Sequence, residues 1–302
     1  MGVKGLYSYC KQYRVPLYTQ NIPCNKPLRI GFDGMSMLYN YKSRYEDMYP
    51  TLKELVSHGH KLIFVFDGKT PVEKEAEVKE RRNVRDSAIQ QANSLKDYLT
   101  ADENIPSNER RVLEYSLARL EFKGWHITRD IRQKFQEVLK GMNIPYLKAV
   151  GEADNVLVDM ARADKLDVVV STDMDFLLSG VKRLWIPFRV TMYDGFEEIR
   201  LEELLKGEDI TEEGLRDVGI LCGVELLRGK LSIHTNMAFS WIRHYKSIET
   251  ILESNVEEPQ LEILRDKEVL AKVRQHFLAA EPWDIHIRPD HREYCKDFLD
   301  NL

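Results

Sequence analysis

The chain has 302 residues, of which 43% are hydrophobic and 31% charged, and 44 Lys and Arg against 49 Asp and Glu leave a net charge of −5. That balance fits a globular chain with one large domain or two small ones and argues against a general nucleic-acid coat protein. No apolar run reaches the ~18 residues that span a bilayer, so no membrane contact is expected.

MGVKGLYSYC lacks the apolar stretch of a signal peptide, and Leu6 stands where a myristoylation signal carries Ser or Thr. Cys10, Cys24, Cys222 and Cys295 form no CxxC pair, which reads as reduced thiols in an intracellular protein. Three segments then read as buried parallel strands: LRIGFDG (28–34), KLIFVFDG (61–68) and LDVVVSTDMD (166–175). Each is a continuous apolar run, as expected where helices cover both faces of a sheet. Between the second and third lies a charge-dense, helix-rich insertion, 70–141, broken near ADENIPSN (101–108). NIPYLKA reads as a short extended piece, and GEADNVLVDMARA as a helix with Val156, Leu157, Met160 and Ala161 at helical spacing and Glu152 and Asp154 at its start. LWIPFRVTMYDGFEEIRL predicts two or three short strands with a hairpin turn at Asp194-Gly195. ITEEGLRDVGILCG (210–223) predicts a helix capped by Thr211, with Glu212 and Glu213 in its first turn, and helices fill the chain from about 236. There is no internal repeat, and LLKGED (204–209) is too short to establish a domain break. The acidic average hides two basic stretches, KERRNVR (79–85) and residues 228–246, the latter without Asp or Glu.

The predicted strands end in Asp33, in Asp67, and in Asp173 with Asp175. Ligands of an open α/β sheet bind just beyond the carboxyl ends of its strands, so these four should converge, with Glu152 and Asp154 beside them. Two carboxylates ~4 Å apart repel by ~1 kcal/mol in water and ~4 kcal/mol at an effective dielectric of 20. Six therefore imply either protonation or bound cations. All-oxygen ligation selects Mg2+ or Mn2+, and two such ions ~3.5–4 Å apart can clamp a phosphodiester. A lone Asp after a strand is more often a turn residue or a helix cap, and the pattern alone leaves a phosphatase, a nuclease and a Mg2+-dependent synthase open.

Nearly the whole chain, from MGVKGL to about residue 280, resembles the flap endonuclease family, the structure-specific 5′ nucleases that include the XPG-type repair enzymes. MGVKGLYSY resembles the family's start, where Gly2 approaches the active site. IGFDGMSMLYNY resembles the first acidic motif, and FVFDGKTPVEKEAEVKERR the second. MNIPYLKAVGEADN, STDMDFLLSG and ILCGVEL resemble the later ones. The resemblance implies that Asp33, Asp67, Glu152, Asp154, Asp173, Asp175 and Glu225 hold two Mg2+ ions, for which Mn2+ can substitute. It also implies that Tyr39 stacks on a base, that Lys74 and Arg81 meet the scissile phosphate, and that Arg82 adds to DNA binding beside them. Residues 70–141 become a helical arch that admits a single-stranded 5′ end.

The expected fold is α/β, a central and mostly parallel sheet flanked by helices (a PIN-like nuclease core). It is divided into an N-terminal nuclease region 1–69, the arch 70–141, an internal nuclease region 142–225, and a helix-hairpin-helix-like duplex-binding region with C-terminal helices, 226–302. Three departures stand out. Glu225 replaces Asp. Ser232 and His234 fall where the family's duplex- and K+-binding hairpin has glycines, which leaves duplex contact to Arg228, Lys230, Arg243 and Lys246. The tail HREYCKDFLDNL shows no sliding-clamp motif and no targeting run. The expectation is a monomeric nuclease acting on DNA with a 5′ flap, nick or branch in the nucleus or another DNA-containing compartment. The alternatives are a 5′–3′ exonuclease on nicked, gapped or RNA-containing 5′ ends, and an inactive nucleic-acid-binding scaffold.

Overall fold

The three apolar runs become strands, shorter than the runs themselves, and the chain leaves the sheet at or shortly before each carboxylate. In the computed structural model these are β2 (Arg29–Asp33), β3 (Lys61–Phe66) and β5 (Val168–Val170). The structure describes residues 3, 5–23, 25–70, 74–101, 105–188, 195–227, 229–278 and 285–286. It divides into two units, one of Met1–Gly68 with Lys134–Leu302 and one of Lys69–Gln133.

Among the described residues the larger unit holds one sheet. β1 (Val15–Tyr18), β4 (Tyr146–Ala149), β6 (Arg183–Pro187), β7 (Gly195–Arg200) and β8 (Ile285–His286) complete it, in the order β1-β7-β6-β5-β2-β3-β4-β8. The five central strands are mutually parallel; on one side β7 pairs antiparallel with β6 and β1 pairs antiparallel with β7 at the edge, and on the other β8 pairs antiparallel with β4. The chain winds outward from β2 through β3 to β4, then returns to the other side of β2 as β5. The strand order therefore reverses between β2 and β5, where an α/β sheet opens a crevice. Phe32 and Phe64 stack across neighbouring strands at 4.5 Å and, with Phe66, fill the core. Val168, Val169 and Val170 are all buried, which explains a run with no polar alternation.

Helices cover the sheet. α1 (Leu6–Tyr9), α2 (Gly34–Tyr41) and α3 (Tyr49–Ser57) belong to the first third of the chain. The smaller unit is built on α4 (Glu75–Ala101) and α5 (Ser107–Gly124), whose ends bracket the expected break; residues 102–104 lie outside the described ones. Ala88 and Ala92 are buried in this pair, and a Cβ on Gly124 would come 2.8 Å from Ile89 Cγ1, so the helices meet closely there. α6 (Arg129–Gly141) carries Phe135 into the larger unit's core, its ring 5.4 Å from Phe64.

α7 (Ala153–Arg162) and the single turn α8 (Asp175–Leu178) follow β4 and β5, and α9 (Leu201–Glu208) follows β7. α10 (Glu212–Gly223) starts as expected, with the Thr211 side chain accepting the Gly214 NH at 3.1 Å. α11 (Thr235–Tyr245), α12 (Ile248–Glu253) and α13 (Lys267–Leu278) complete the helical C-terminal part. Asp217 ties α10 to α12 and α13. It is 2% exposed and accepts both the Ile248 NH and the Arg274 guanidinium, which also grips Glu249. The expected Asp194-Gly195 turn lies partly outside the described residues, although the Phe188 NH donates to the Gly195 carbonyl at 3.1 Å, as a β6–β7 hairpin requires. Among the described residues no helix is long and apolar enough to cross a membrane.

Candidate active site

Four neighbouring parallel strands, β5-β2-β3-β4, deliver acids to one end of the sheet. Asp33 ends β2 and is also the N-cap of α2, and its two oxygens are held separately. Oδ1 accepts the Ser36 NH at 2.9 Å and Oδ2 accepts the Ser171 hydroxyl at 2.9 Å. Asp67 directly follows β3, and its Oδ1 accepts the NH of Ala153, the first residue of α7, at 2.9 Å. That bond ties the second acidic motif to the third, since Glu152 and Asp154 flank Ala153. Gly68 allows the approach: its NH donates to the Gly151 carbonyl at 2.7 Å, and a Cβ on it would collide with the Ala149 carbonyl. Beyond β5, Asp173 Oδ1 accepts the Asp175 NH at 3.0 Å, and Asp175 Oδ1 accepts the NH of Val3 at 2.9 Å. The N-terminal segment thus reaches the fourth motif through Val3, and Gly2 lies outside the described residues.

The electrostatics report the crowding. Burial, then the charges of Asp67 and Asp173, push Asp33 up to about 7, against the pull of its bonds to Ser36 and Ser171. Asp154 keeps some surface exposure, yet it too is raised well above the usual carboxylate range, first by burial and then by Asp33, Asp173, Asp67 and Glu152. Five carboxylates therefore share one field. Glu225 is half-buried in a 3-10 turn after α10 and is not among the acids that act most strongly on Asp154.

A donor set made only of carboxylate oxygens suits a hard divalent cation, whose charge would offset the burial and the repulsion that raise Asp33 and Asp154. Among the described residues, no group of three or more His, Cys, Asp or Glu side chains is gathered tightly enough to hold an ion as it stands. The bonds above explain the spacing. Asp33, Asp67, Asp173 and Asp175 each have at least one oxygen committed to an NH or OH, and like charges keep the others apart. Ligation calls for these side chains to draw together around the cation.

The chain is similar to known proteins. The Flap endonuclease 1 of Eremothecium gossypii is 30% identical over 276 residues, covering 84% of this chain and 68% of that protein. The chain belongs to the flap endonuclease family. The Flap endonuclease 1 of Meyerozyma guilliermondii is 24% identical over 312 residues, 96% of this chain and 78% of its own length. The family model of the XPG I-region matches residues 143–225. Two solved structures share the fold: the catalytic core of Rad2 in complex with DNA substrate (TM-score 0.61, 16% identity, 99% of this chain and 96% of that one) and the flap endonuclease-1 of Methanococcus jannaschii (TM-score 0.56, 21% identity, 99% and 92%).

Other residues expected from this flap endonuclease resemblance are placed unevenly. Tyr39 is 50% exposed on α2, so its ring is not core packing. Lys74 precedes α4 directly, and Arg81 and Arg82 are exposed on it; all three belong to the Lys69–Gln133 unit. Arg243 donates to the buried Glu208, which also accepts from Tyr9 and Tyr13, so part of this guanidinium serves the core. Lys246 lies 3.6 Å from Asp209, Lys230 is exposed, and Arg228 falls outside the described residues.

In the hairpin, Ser232 and His234 both avoid the left-handed region; His234 caps α11 with φ −61°, its ring accepting the Asn236 NH. The Ser232 NH donates to Gln260 Oε1 at 2.9 Å. An amide that could face a phosphate is thus answered within the chain. Sequence reasoning missed Gln260, and it also missed Ser36, Ser171 and Thr172. The last three stand beside the carboxylates, inside IGFDGMSMLYNY and STDMDFLLSG.

Proposed function

We propose that this chain is a divalent-metal-dependent, structure-specific 5′ nuclease that hydrolyses phosphodiester bonds in flapped or branched DNA. The observation that carries this reading is the shared field of Asp33, Asp67, Glu152, Asp154 and Asp173 at the carboxyl ends of four adjacent parallel strands. The names of its relatives and of its structural neighbours, which include human GEN1 with Holliday junction DNA and a GEN1 complex with product DNA and Mg2+, support it.

In this reading Asp33, Asp67, Glu152, Asp154, Asp173, Asp175 and Glu225 hold two Mg2+ ions, and Mn2+ can replace them. Bound there, the ions would supply an activated water and charge neutralisation at the leaving oxygen. The residues do the rest. The Asp67–Ala153 bond sets the second and third acidic motifs against each other. Lys74 and Arg81 meet the growing negative charge of the scissile phosphate, Tyr39 stacks on a base next to the cut, and the segment 70–141 acts as an arch for the single-stranded 5′ end. Gly2, Arg82, Arg228, Lys230, Arg243 and Lys246 contact DNA. The protein acts as a monomer in a DNA-containing compartment.

A second reading, a 5′–3′ exonuclease on nicked, gapped or RNA-containing ends, is favoured by the hairpin, where Gln260 occupies the Ser232 amide and loosens the case for a strong duplex clamp. Incubating 5′-labelled flap, nicked and single-stranded DNA with the protein and Mg2+ separates the readings. Release of an intact flap oligonucleotide supports the first, mononucleotide release from the nick supports the second, and no cleavage of any substrate contradicts both.

A further inference from the structure

Three hydroxyl side chains stitch β2 to β5 where each strand hands over to its carboxylate. Ser36 Oγ lies 2.8 Å from Thr172 Oγ1 and accepts the Thr172 NH at 3.0 Å. Ser171 Oγ donates to Asp33 Oδ2 at 2.9 Å and accepts the Asp173 NH at 3.1 Å. With Asp33 ionised, as metal binding requires, the proton roles at Ser171 follow, because the Asp33 carboxylate can only accept. An NH can only donate, so the Ser171 oxygen must accept from Asp173, and its single proton is left for Asp33. Ser171 is 0% exposed, so bulk water cannot take over either bond.

Strand formation does not demand this serine side chain. The Ser171 backbone NH already continues the ladder by donating to the Trp185 carbonyl at 3.1 Å. The register of β2 on β5 is set by Ile30 opposite Val168 through Phe32 opposite Val170, and it is pinned at the far end by Arg29 and Asp167. The hydroxyls thus act on the two carboxylates and the loops that carry them, after the sheet has ended.

We propose that Ser171, supported by the Ser36–Thr172 contact, is a positioning residue that keeps Asp33 and Asp173 on facing ends of adjacent strands, from where both can draw in on one divalent cation. The proposal rests on the reading of these two acids as metal ligands. Without the hydroxyl, Asp33 Oδ2 loses its donor, the Asp173 NH loses its acceptor, and two like-charged side chains on adjacent strands relax away from each other. Partners of this kind, one bond removed from a metal, orient the ligands and tune affinity.

The test compares the full-length wild type with Ser171→Ala, Ser171→Thr and Thr172→Val. Each is stripped of metal and titrated with Mg2+ alone while thermal unfolding is followed without DNA; single-turnover cleavage of a 5′ flap is then measured across the same Mg2+ range. Ser171→Ala should melt below wild type when metal-free, because a buried NH and a buried carboxylate oxygen lose their partner, and its Mg2+ half-point should rise by about tenfold or more in both measurements. Ser171→Thr, which keeps the oxygen, should stay within about threefold of wild type, and Thr172→Val, which loses one of the supporting contacts, should rise severalfold. A wild-type Mg2+ half-point in Ser171→Ala overturns the proposal. If that variant does not fold, an unchanged half-point in Thr172→Val does so instead. A wild-type protein whose melting ignores Mg2+ removes the metal-site reading itself, a result distinct from a responsive wild type with equally responsive variants.

Discussion

Arg29 grips Asp167 at the ends of β2 and β5 farthest from the acids. Nη2 donates to Oδ1 at 2.9 Å, Nε to Oδ2 at 3.1 Å, and the Arg29 backbone NH also donates to Oδ2, at 2.8 Å. Burial pushes the Asp167 carboxyl up, but its bonds and attraction to Arg29 hold it below the usual range. One end of the strand pair is thus locked by charge, and the other carries Asp33 and Asp173.

Removing that lock should act on stability more than on the site. Arg29→Ala is expected to cost about 1–3 kcal/mol, toward the lower end because the charged pair is partly open to solvent. The sign with pH follows from the lowered carboxyl. The contribution is present above the ordinary carboxylate range and is lost as pH falls through the folded value. The difference between wild type and Arg29→Ala in denaturant melts should therefore narrow below about pH 4, with the Mg2+ half-point unchanged at neutral pH. A gap that widens in acid contradicts the assignment.

Asp33 carries the opposite sign. Its folded value is raised to about 7, so the metal-free protein is favoured below the ordinary carboxylate range and loses that contribution as pH rises toward 7. Mg2+ needs the ionised form. The rise in melting temperature that Mg2+ produces should be larger at pH 8 than at pH 6, measured by calorimetry at fixed ionic strength. An equal rise at both pH values counts against Asp33 as a ligand.

Much of this site was legible in the sequence because its determinants are local. Apolar runs ending in Asp33 and Asp67 marked strands and their ends, and Thr211 marked a helix start three residues before the NH it accepts from. What stayed hidden depends on partners far along the chain. Ser171 meets Asp33 across 138 positions, and Ser232 meets Gln260 across 28, through single atoms that leave no periodic trace. β1 is short, mostly exposed and contains Pro16, and β8 has two residues, so neither carries the apolar run by which buried strands announce themselves.

Lys74 and Arg81 are expected to act in the transition state more than in binding. Arg81→Ala or Lys74→Ala should lower single-turnover cleavage of a flap by 10²-fold or more, by the order of magnitude known for such electrostatic groups, while DNA affinity changes by only about threefold. Near-wild-type cleavage by Arg81→Ala would show that its role does not transfer from the family motif.

Duplex binding should lack a K+-specific gain. Ser232 and His234 each add a Cβ, neither adopts the left-handed conformation, and the Ser232 NH is already committed to Gln260. Long basic side chains then make the contact, and log affinity falls with log salt by about 0.9 for each phosphate neutralised. Binding of a nicked flap duplex in KCl and in NaCl at equal ionic strength should agree. Tighter binding in K+ alone would mean that the hairpin still coordinates the ion.

The most direct test of the acidic crevice as a metal-dependent hydrolytic site is single-turnover cleavage of a 5′ flap by wild type and Asp154→Asn in saturating Mg2+, with DNA affinity measured in parallel. Asn keeps the shape and removes the charge at the carboxyl crowded by Asp33, Asp173, Asp67 and Glu152. The predicted result is Mg2+-dependent cleavage by wild type, abolished by chelator, and a loss of several orders of magnitude in Asp154→Asn with DNA binding largely retained. Cleavage that persists in excess chelator, or an Asp154→Asn rate near wild type, would contradict it.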